Sequence, residues 1–142
     1  MSTNATISIY KENGTINSIY NHNCGLPTDL GIMLMEHYNT EALVIELISM
    51  GDVSYVGSKI HPQNPETHSF VSPEPDVCLF YSRDRNEDDC ETQEFNSIKE
   101  ILFHYGMPYN YLFKDNRWYI INEDLHGNCS LVDLDEEIKQ YK

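Results

Sequence analysis

Two runs of alternating apolar and polar residues around a tight turn constrain the fold most strongly. Residues 5–10 and 15–20 flank Asn13-Gly14, a dipeptide that strongly favours the turn of a β-hairpin. In the first run both isoleucines fall on the same face, which is typical of a half-buried strand. The sequence therefore predicts that the fold begins with an antiparallel hairpin.

Aromatic residues gather in a second pair of runs near the end of the chain. Residues 109–114 and 117–121 flank Asp115-Asn116 and are predicted to form a second hairpin. Alternation places three aromatic side chains of the first run on one face: Tyr109, Tyr111 and Phe113. That face is either a core face packed against helices or a subunit interface, where tyrosine and tryptophan are enriched.

The spacing of apolar residues predicts a pair of helices between the hairpins. The first covers residues 28–38 with Thr28 as its cap, and the second covers residues 41–50 with Thr40 as its cap. Gly51 suits the end of the second helix. The inward-facing residues of the second helix are predicted to be Leu43, Val44, Leu47 and Ile48.

The remaining segments are predicted to be short elements and one long loop. Residues 51–74 carry prolines that prevent long helices, and their apolar residues predict an ordered loop that packs on the domain. The later elements are predicted strands at residues 77–85 and 92–95, a helix at residues 97–104 capped by Asn96, and an acidic helical tail at residues 133–142. Together these elements predict a single α+β domain over residues 1–142, with antiparallel hairpins in a sheet and a packed helix pair.

The chain is strongly acidic, with 23 Asp and Glu against 9 Lys and Arg and a formal net charge of -14. Long nucleic acids and anionic membrane surfaces bind basic faces, so both are excluded as general partners. Residues 1–4 lack the basic and apolar regions of a signal peptide, and no apolar run approaches the ~20 residues that span a bilayer. We therefore expect a cytoplasmic protein.

Catalysis, a cofactor and a resident metal find little support in the residues. The sequence contains no G-x-S-x-G nucleophile motif, no P-loop and no H-E-x-x-H zinc motif. Its four cysteines, Cys24, Cys78, Cys90 and Cys129, form no C-x-x-C pair. This spacing favours plain buried thiols over a metal site or a disulfide framework.

Only three arginines are present, and two of them, Arg83 and Arg85, flank a single residue. If residues 77–85 form a strand, both guanidinium groups point to one side, just after Phe80 and Tyr81. Arginine binds phosphate through paired hydrogen bonds and aromatic rings stack on bases, so the segment is a candidate nucleotide or diphosphate pocket. The alternative is that both arginines only pair with nearby carboxylates. These carboxylates belong to Asp84, Glu87, Asp88 and Asp89.

Several segments, taken in order, resemble one family of small phage proteins. They are T-I-S-I-Y-K-E-N-G-T at residues 6–15, S-I-Y-N-H at 18–22, E-H-Y-N-T at 36–40, G-D-V-S at 51–54, F-Y-S-R-D-R-N-E at 80–87 and Y-N-Y-L-F-K-D-N-R-W-Y at 109–119. The chain resembles the type-one Thoeris anti-defence proteins, which phages use against TIR-based immunity. The similarity spans nearly the whole chain and ends near residue 122. Its most distinctive parts are F-Y-x-R-D-R and Y-N-Y-L-F.

The resemblance implies a sponge, a protein that binds a signal molecule and holds it without cleaving it, rather than an enzyme. Members of the family sequester the glycocyclic isomer of ADP-ribose that TIR proteins make from NAD, and so starve the downstream effector. The family is oligomeric, which implies a homo-oligomer, a dimer or an assembly of dimers, with pockets at or near subunit interfaces. Some members also bind small cyclic oligonucleotides at a separate site.

The implied ligand contains an adenine ring, two riboses and a diphosphate, which the arginine-bearing segment suits. The residues expected to bind it are Phe80, Tyr81, Arg83, Arg85, Asn86 and Arg117. The loop at residues 51–74 is expected to help enclose the site. Two alternatives stay open: an acidic inhibitor that binds a host defence protein directly, and a phosphodiesterase that cleaves such signals.

Overall fold

The two predicted hairpins lie next to each other in the middle of one eight-strand sheet. The computed structural model describes residues 2–141. Its strands are β1 (Ala5–Tyr10), β2 (Ile16–Asn21), β3 (Val53–Tyr55), β4 (Leu79–Phe80), β5 (Gln93–Phe95), β6 (Tyr109–Lys114), β7 (Arg117–Glu123) and β8 (Cys129–Asp133). Along the sheet the order is β4-β3-β2-β1-β6-β7-β8, and β5 pairs with the start of β2.

The sheet is mixed, which corrects the prediction of an antiparallel sheet. Both hairpins are antiparallel as predicted, but β1 and β6 run parallel, from Ala5 opposite Tyr109 to Ile9 opposite Phe113. Strands β2 and β3 are also parallel. Parallel pairing needs a long crossover connection, and residues 22–108 supply it between the two hairpins.

Five α-helices and one π-helical turn complete the fold, which is a single α+β domain as predicted. They are the π-helical turn Pro27–Gly31, α1 (Ile32–His37), α2 (Glu41–Ser49), α3 (Tyr81–Arg85), α4 (Ile98–Tyr105) and α5 (Leu134–Lys139). Among the described residues, no helix has both the length and the apolar character needed to cross a membrane.

The predicted helix pair is present, with a correction in each helix. Thr28 does not cap the first, because the segment begins as the π-helical turn with Pro27 in its first position and Leu26 as its cap. Thr40 does cap α2, since its hydroxyl accepts a hydrogen bond from the Leu43 amide at 3.3 Å. The Leu43 side chain is exposed rather than buried. The buried side of α2 is narrower than predicted and consists of Val44, Leu47 and Ile48.

The aromatic face of β6 packs into the main core, which confirms the core interpretation of its alternation. Tyr111 and Phe113 are buried in the same cluster as residues of α1, α2 and α5. The Tyr111 hydroxyl donates a hydrogen bond to the Gly25 carbonyl at 2.7 Å, and Trp118 Nε1 donates to the Tyr38 carbonyl at 2.8 Å. These bonds satisfy the polar atoms of the large buried rings.

Helix α4 covers the opposite face of the sheet. Its Ile101 packs against apolar residues of β2, β6 and β7. The helix begins with a capping box, in which Ser97 Oγ accepts from the Glu100 amide at 3.3 Å and Glu100 Oε2 accepts from the Ser97 amide at 3.0 Å. The predicted cap, Asn96, lies one residue before this box.

Removing the capping box should destabilise the protein modestly. We expect Ser97→Ala to lower the free energy of unfolding by about 1 kcal/mol, because the Glu100 amide loses its partner. Asn96→Ala is the matched control and should cost less than about 0.5 kcal/mol, because Asn96 joins the box through its backbone amide. Urea denaturation measures both variants, and an equal loss in the two would contradict Ser97 as the cap.

The C-terminal segment contains a strand that the sequence did not predict. Strand β8 pairs antiparallel with β7, and the chain continues directly into α5. The Asp133 carboxylate caps α5 by accepting from the Asp135 amide at 3.0 Å. The helix predicted at residues 133–142 is therefore confirmed over Leu134–Lys139. The last residue of the predicted tail, Lys142, lies outside the described residues.

Candidate functional site

The segment that carries the predicted site changes from strand to helix at Tyr81. Strand β4 ends at Phe80 and α3 follows at once, so the strand predicted over residues 77–85 is wrong beyond Phe80. The cause is local, because the Asp84 carboxylate accepts the Phe80 amide hydrogen at 2.8 Å and holds the turn of the helix. Helix α3 ends at Arg85 and is followed by its C-cap, Asn86, whose left-handed backbone (φ 57°) asparagine tolerates better than most residues.

Arg83 and Arg85 therefore point to different sides of α3. Successive residues of a helix are rotated by about 100°, so these two side chains are separated by about 200°. The prediction that both guanidinium groups face one spot is wrong, because it assumed the geometry of a strand. The alternative pairing is observed, since Arg83 pairs with Asp84 at 2.8 Å and Arg85 pairs with Glu87 at 3.4 Å.

The segment predicted to be a loop, residues 51–74, contains strand β3 (Val53–Tyr55), which pairs with β4, so the long loop is limited to residues 56–74. Arg83 turns inward and ties this loop to the sheet. Its Nη1 donates to the Ile60 carbonyl at 2.6 Å, and its Nη2 donates to the Cys78 carbonyl at 2.8 Å. Its guanidinium carbon also lies 5.0 Å from the centre of the Phe80 ring. The Arg83 side chain is only 23% exposed. Most of its donors are thus already used inside the protein.

His68 completes the buried polar cluster around Arg83. The His68 side chain is almost fully buried, with Nε2 3.4 Å from Asp84 Oδ1 and Nδ1 accepting from the Glu74 amide at 3.0 Å. Burial alone would raise the pKa of the Asp84 carboxyl, but hydrogen bonds from Arg83 and from the Phe80 amide hold this pKa below its usual value. The long loop is therefore ordered and packed on the domain, as predicted.

Arg85 turns outward and lies over two aromatic rings. Its guanidinium carbon is 5.1 Å from the centre of the Phe70 ring and 5.9 Å from that of Tyr81. The two ring centres are 5.5 Å apart, and their planes are inclined by 33°. The Arg85 side chain remains 52% exposed although it pairs with Glu87. We call Phe70, Tyr81 and Arg85 the aromatic–arginine cluster, which joins the long loop and α3 at the surface.

Tyr20 of β2 is linked to the aromatic–arginine cluster through Asp52, whose carbonyl accepts a hydrogen bond from the Tyr81 amide at 3.3 Å. Burial, followed by the charges of Tyr81 and Asp52, raises the pKa of Tyr20, and the Tyr20 hydroxyl lies 2.6 Å from His22 Nδ1. The Asp52 carboxylate accepts the Tyr20 amide hydrogen at 2.9 Å. Sequence reasoning missed Tyr20 and Phe70 as site residues, because they come from distant parts of the chain. The alternation of β2 gave no signal for Tyr20, because Tyr20 lies on the same face of the strand as the core residue Ile16.

Two other predicted binding residues flank α3 in opposite environments. Phe80 is fully buried in the core, so its ring has no accessible face on which a base can stack. Asn86 is exposed at the other end of α3, next to Arg85 in the chain. The structure therefore brings Tyr81, Arg85 and Asn86 together at the surface.

Arg117 lies in a different part of the molecule. It is the first residue of β7, and four strands separate β7 from β4, which corresponds to roughly 24 Å. Arg117 pairs with Asp133 at 3.1 Å on the wall of an open groove of about 810 Å³. Trp118 and Phe113 also line this groove. Within one chain, Arg117 does not join the aromatic–arginine cluster.

The four cysteines are free thiols, as predicted, but the prediction that they are buried is wrong for three of them. Cys78 is buried, and this burial raises the pKa of its thiol, whereas Cys24 is exposed. Within residues 2–141, no group of three or more His, Cys, Asp or Glu side chains is arranged to hold a metal ion.

Comparison with known proteins gives no match to assign this site. No protein-family model matches the sequence, and neither the curated proteins nor the solved structures contain a significant match. A function for the chain therefore has to be inferred from its own residues and from the resemblance of its segments.

Proposed function

We propose that the protein captures a cyclic isomer of ADP-ribose on the aromatic–arginine cluster and holds it without cleaving it. It would act as a phage anti-defence sponge in the cytoplasm of an infected or lysogenic bacterium, where it withholds the TIR-made signal from the Thoeris effector. The observation that most supports this proposal is the half-exposed Arg85, which lies over Phe70 and Tyr81 in a chain with a net charge of -14.

The aromatic–arginine cluster suits each part of such a ligand. An adenine ring can stack on the accessible side of Tyr81 or Phe70. The Arg85 guanidinium can offer paired N–H donors to the diphosphate, in place of its present carboxylate partner. Asn86, which is exposed next to Arg85, offers a further polar contact to the ribose hydroxyls.

Arg83 takes an indirect part in this proposal. Its bonds to backbone carbonyls hold the long loop against the domain, and the loop in turn places Phe70 beside Tyr81. A site that is formed before the ligand arrives requires less ordering on binding, which favours tight capture. We therefore treat Arg85 as a ligand-binding residue and Arg83 as a positioning residue.

Homo-oligomerisation, which the resemblance implies, is part of the proposal and bears on Arg117. Because four strands separate β7 from β4, Arg117 would contact the same ligand only from a second copy of the chain. Arg117→Ala distinguishes the two arrangements. Unchanged binding would support a site within one chain, whereas a loss of binding would support a site shared between copies.

Titration calorimetry on the purified protein tests the ligand class. The probes are a panel of cyclic ADP-ribose isomers together with cyclic di- and trinucleotides. We expect saturable binding of at least one cyclic ADP-ribose isomer, and chromatography after heat denaturation should recover it unchanged. Recovery of a hydrolysed product would instead support the phosphodiesterase alternative, and absence of binding to every probe would overturn the proposal.

An acidic inhibitor of a basic defence protein is the second candidate function. Each of the three arginines already pairs with a carboxylate of the same chain. This candidate is favoured by that pairing, because a diphosphate would have to displace a carboxylate from its arginine whereas a basic partner would not. A net charge of -14 attracts basic proteins through electrostatic complementarity. Salt-sensitive association with a basic protein, without a bound nucleotide, would support this function over the sponge.

A further inference from the structure

Glu87, the carboxylate partner of Arg85, is held beside the aromatic–arginine cluster by its backbone as well as by its charge. The Glu87 amide donates to the Tyr81 carbonyl at 3.1 Å, so the chain turns back onto the first residue of α3. The Glu87 Oε1 atom lies 3.4 Å from Arg85 Nη2, and the side chain remains 38% exposed. The backbone bond therefore keeps this carboxylate near Tyr81 and Arg85 when another anion takes its place on the guanidinium.

The aromatic–arginine cluster has little positive charge to spare. Arg85 supplies it, because the donors of Arg83 are mostly used inside the protein. Asp88 and Asp89 follow Glu87 in the chain, and both are exposed. One exposed guanidinium is thus set against the carboxylates of this turn. It can pair with a single diphosphate, but a further phosphate placed beside it would be repelled by these carboxylates.

The order of the chemical groups in the proposed ligand brings one ribose to Glu87. In ADP-ribose and its isomers the adenosine ribose joins the adenine ring to the diphosphate. With adenine on Tyr81 or Phe70 and the diphosphate on Arg85, this ribose spans the 5.9 Å or 5.1 Å between the ring centre and the guanidinium carbon. Glu87 is bonded to Tyr81 through its backbone and to Arg85 through its side chain, so its carboxylate lies at the edge of that span.

We propose that Glu87 determines the specificity of the site by accepting hydrogen bonds from the free hydroxyls of the adenosine ribose and by excluding a ribose that carries a phosphate. This inference rests on the proposed function and narrows its ligand class to cyclic ADP-ribose isomers without a phosphate monoester on that ribose. An ionised carboxylate only accepts hydrogen bonds, and a ribose hydroxyl can donate one. In dinucleotide-binding folds, a carboxylate placed at the ribose hydroxyls selects NAD over NADP by the same chemistry.

A phosphate on this ribose is disfavoured for two reasons. It replaces a hydroxyl donor by acceptor oxygens, so the Glu87 carboxylate loses its hydrogen bond. It also brings a charge of about −1.5 to −2 at pH 7 close to that carboxylate. Loss of a hydrogen bond to a charged group alone corresponds to about 10- to 150-fold in affinity. Charge repulsion acts in the same direction, so the discrimination against the phosphorylated ligand is large enough to measure.

Titration calorimetry with a matched pair of ligands tests this role of Glu87. The pair consists of the cyclic ADP-ribose isomer that binds the wild type most tightly and the same isomer with a phosphate monoester on the adenosine ribose, at a hydroxyl that cyclisation leaves free. The wild type is expected to bind the unphosphorylated ligand at least about 10-fold more tightly. Glu87→Gln should reduce this preference to less than about 3-fold, because the glutamine amide is uncharged and can also donate. Glu87→Lys should reverse the preference.

The ratio of the two affinities separates specificity from a general change in binding or folding, which would alter both affinities together. Asp88→Asn is the matched control, since it removes a charge from the next, exposed residue, and it should keep the preference of the wild type. Equal affinity of the wild type for both ligands, a preference that Glu87→Gln leaves unchanged, or the same loss of preference in Asp88→Asn would overturn this proposal and leave the sponge function standing. Absence of binding to every isomer would overturn the sponge function itself, and this proposal with it.

Discussion

Replacing Arg83 with alanine is expected to lower the free energy of unfolding by about 3 kcal/mol. The substitution leaves the Asp84 carboxylate, whose side chain is only 4% exposed, without its charged partner. It also removes the donors that satisfy the carbonyls of Ile60 and Cys78. Removing one partner of a buried pair costs ~3–5 kcal/mol, and we expect the lower end because water reaches part of Arg83.

Arg85→Ala is the matched control for this loss of stability. It makes the same substitution two residues later, at a side chain that is 52% exposed and pairs with Glu87 at 3.4 Å. Exposed pairs of this kind contribute less than about 1 kcal/mol. Urea denaturation should therefore separate the two variants, and Arg83→Lys should recover only part of the loss because lysine lacks the planar fork. Equal destabilisation by Arg83→Ala and Arg85→Ala would contradict the role of Arg83 as the clamp of the long loop.

The difference in the free energy of unfolding between the wild type and Arg83→Ala should decrease as the pH falls. Burial opposes ionisation of Asp84, but its hydrogen bonds prevail and its pKa in the folded protein lies below the ordinary value of 3.8. Because the pKa of Asp84 is lower in the folded than in the unfolded protein, its ionised carboxylate stabilises the fold at any pH above the unfolded pKa. This contribution is lost as the pH falls through the folded pKa. The difference should therefore be complete at neutral pH and should shrink below about pH 4.

Local sequence patterns predicted the parts of the fold whose contacts are close in the chain. Gly14 has φ 89°, and Asp115 and Asn116 have φ 52° and 62°, as the tight turns of the two hairpins require. Thr40 caps α2 through an amide only three residues away. In each case the deciding contact falls within a few residues, so the pattern of residue types carries the information.

Distant contacts decided the parts that the sequence patterns did not predict. The Arg83 guanidinium bonds to Ile60, 23 residues earlier, and such a contact places the long loop against α3 without leaving a periodic signal. The parallel pairing of β1 with β6 includes a hydrogen bond at 2.7 Å from the Thr6 hydroxyl to Asn110, 104 residues later. No local pattern specifies which strand lies beside β1 in the sheet.

The candidate site shows the same limit, because sequence proximity and spatial proximity differ there. Phe80 precedes Tyr81 in the chain but is buried in the core, whereas Phe70 reaches Tyr81 from the long loop. Arg83 and Arg85 lie on different sides of a short helix. The predicted residue types are present at the surface, but one ring of the cluster, Phe70, comes from a loop that was expected to enclose the site without Phe70 being named as a binding residue.

Arg85→Ala is expected to weaken the binding of the cyclic ADP-ribose isomer by about 10- to 150-fold. The proposed contact is a pair of hydrogen bonds between the guanidinium and the diphosphate, and hydrogen bonds to charged groups contribute ~1.5–3 kcal/mol. Arg85→Lys keeps the charge but not the paired donors, so its affinity should be intermediate. Lys139→Ala removes an exposed positive charge on α5, outside the cluster, and is the control for a general loss of positive charge.

Thermal unfolding with and without the ligand separates the direct role of Arg85 from the indirect role of Arg83. A ligand that binds only the folded state raises its stability according to the ratio of ligand concentration to Kd. Arg85→Ala should keep the unfolding temperature of the ligand-free wild type but lose most of the increase on adding ligand. Arg83→Ala should start from a lower temperature and retain part of that increase, because Arg85 and Tyr81 are still present. If Arg85→Ala retains the full increase, the ligand does not bind Arg85, and the groove beside Arg117 becomes the site to examine.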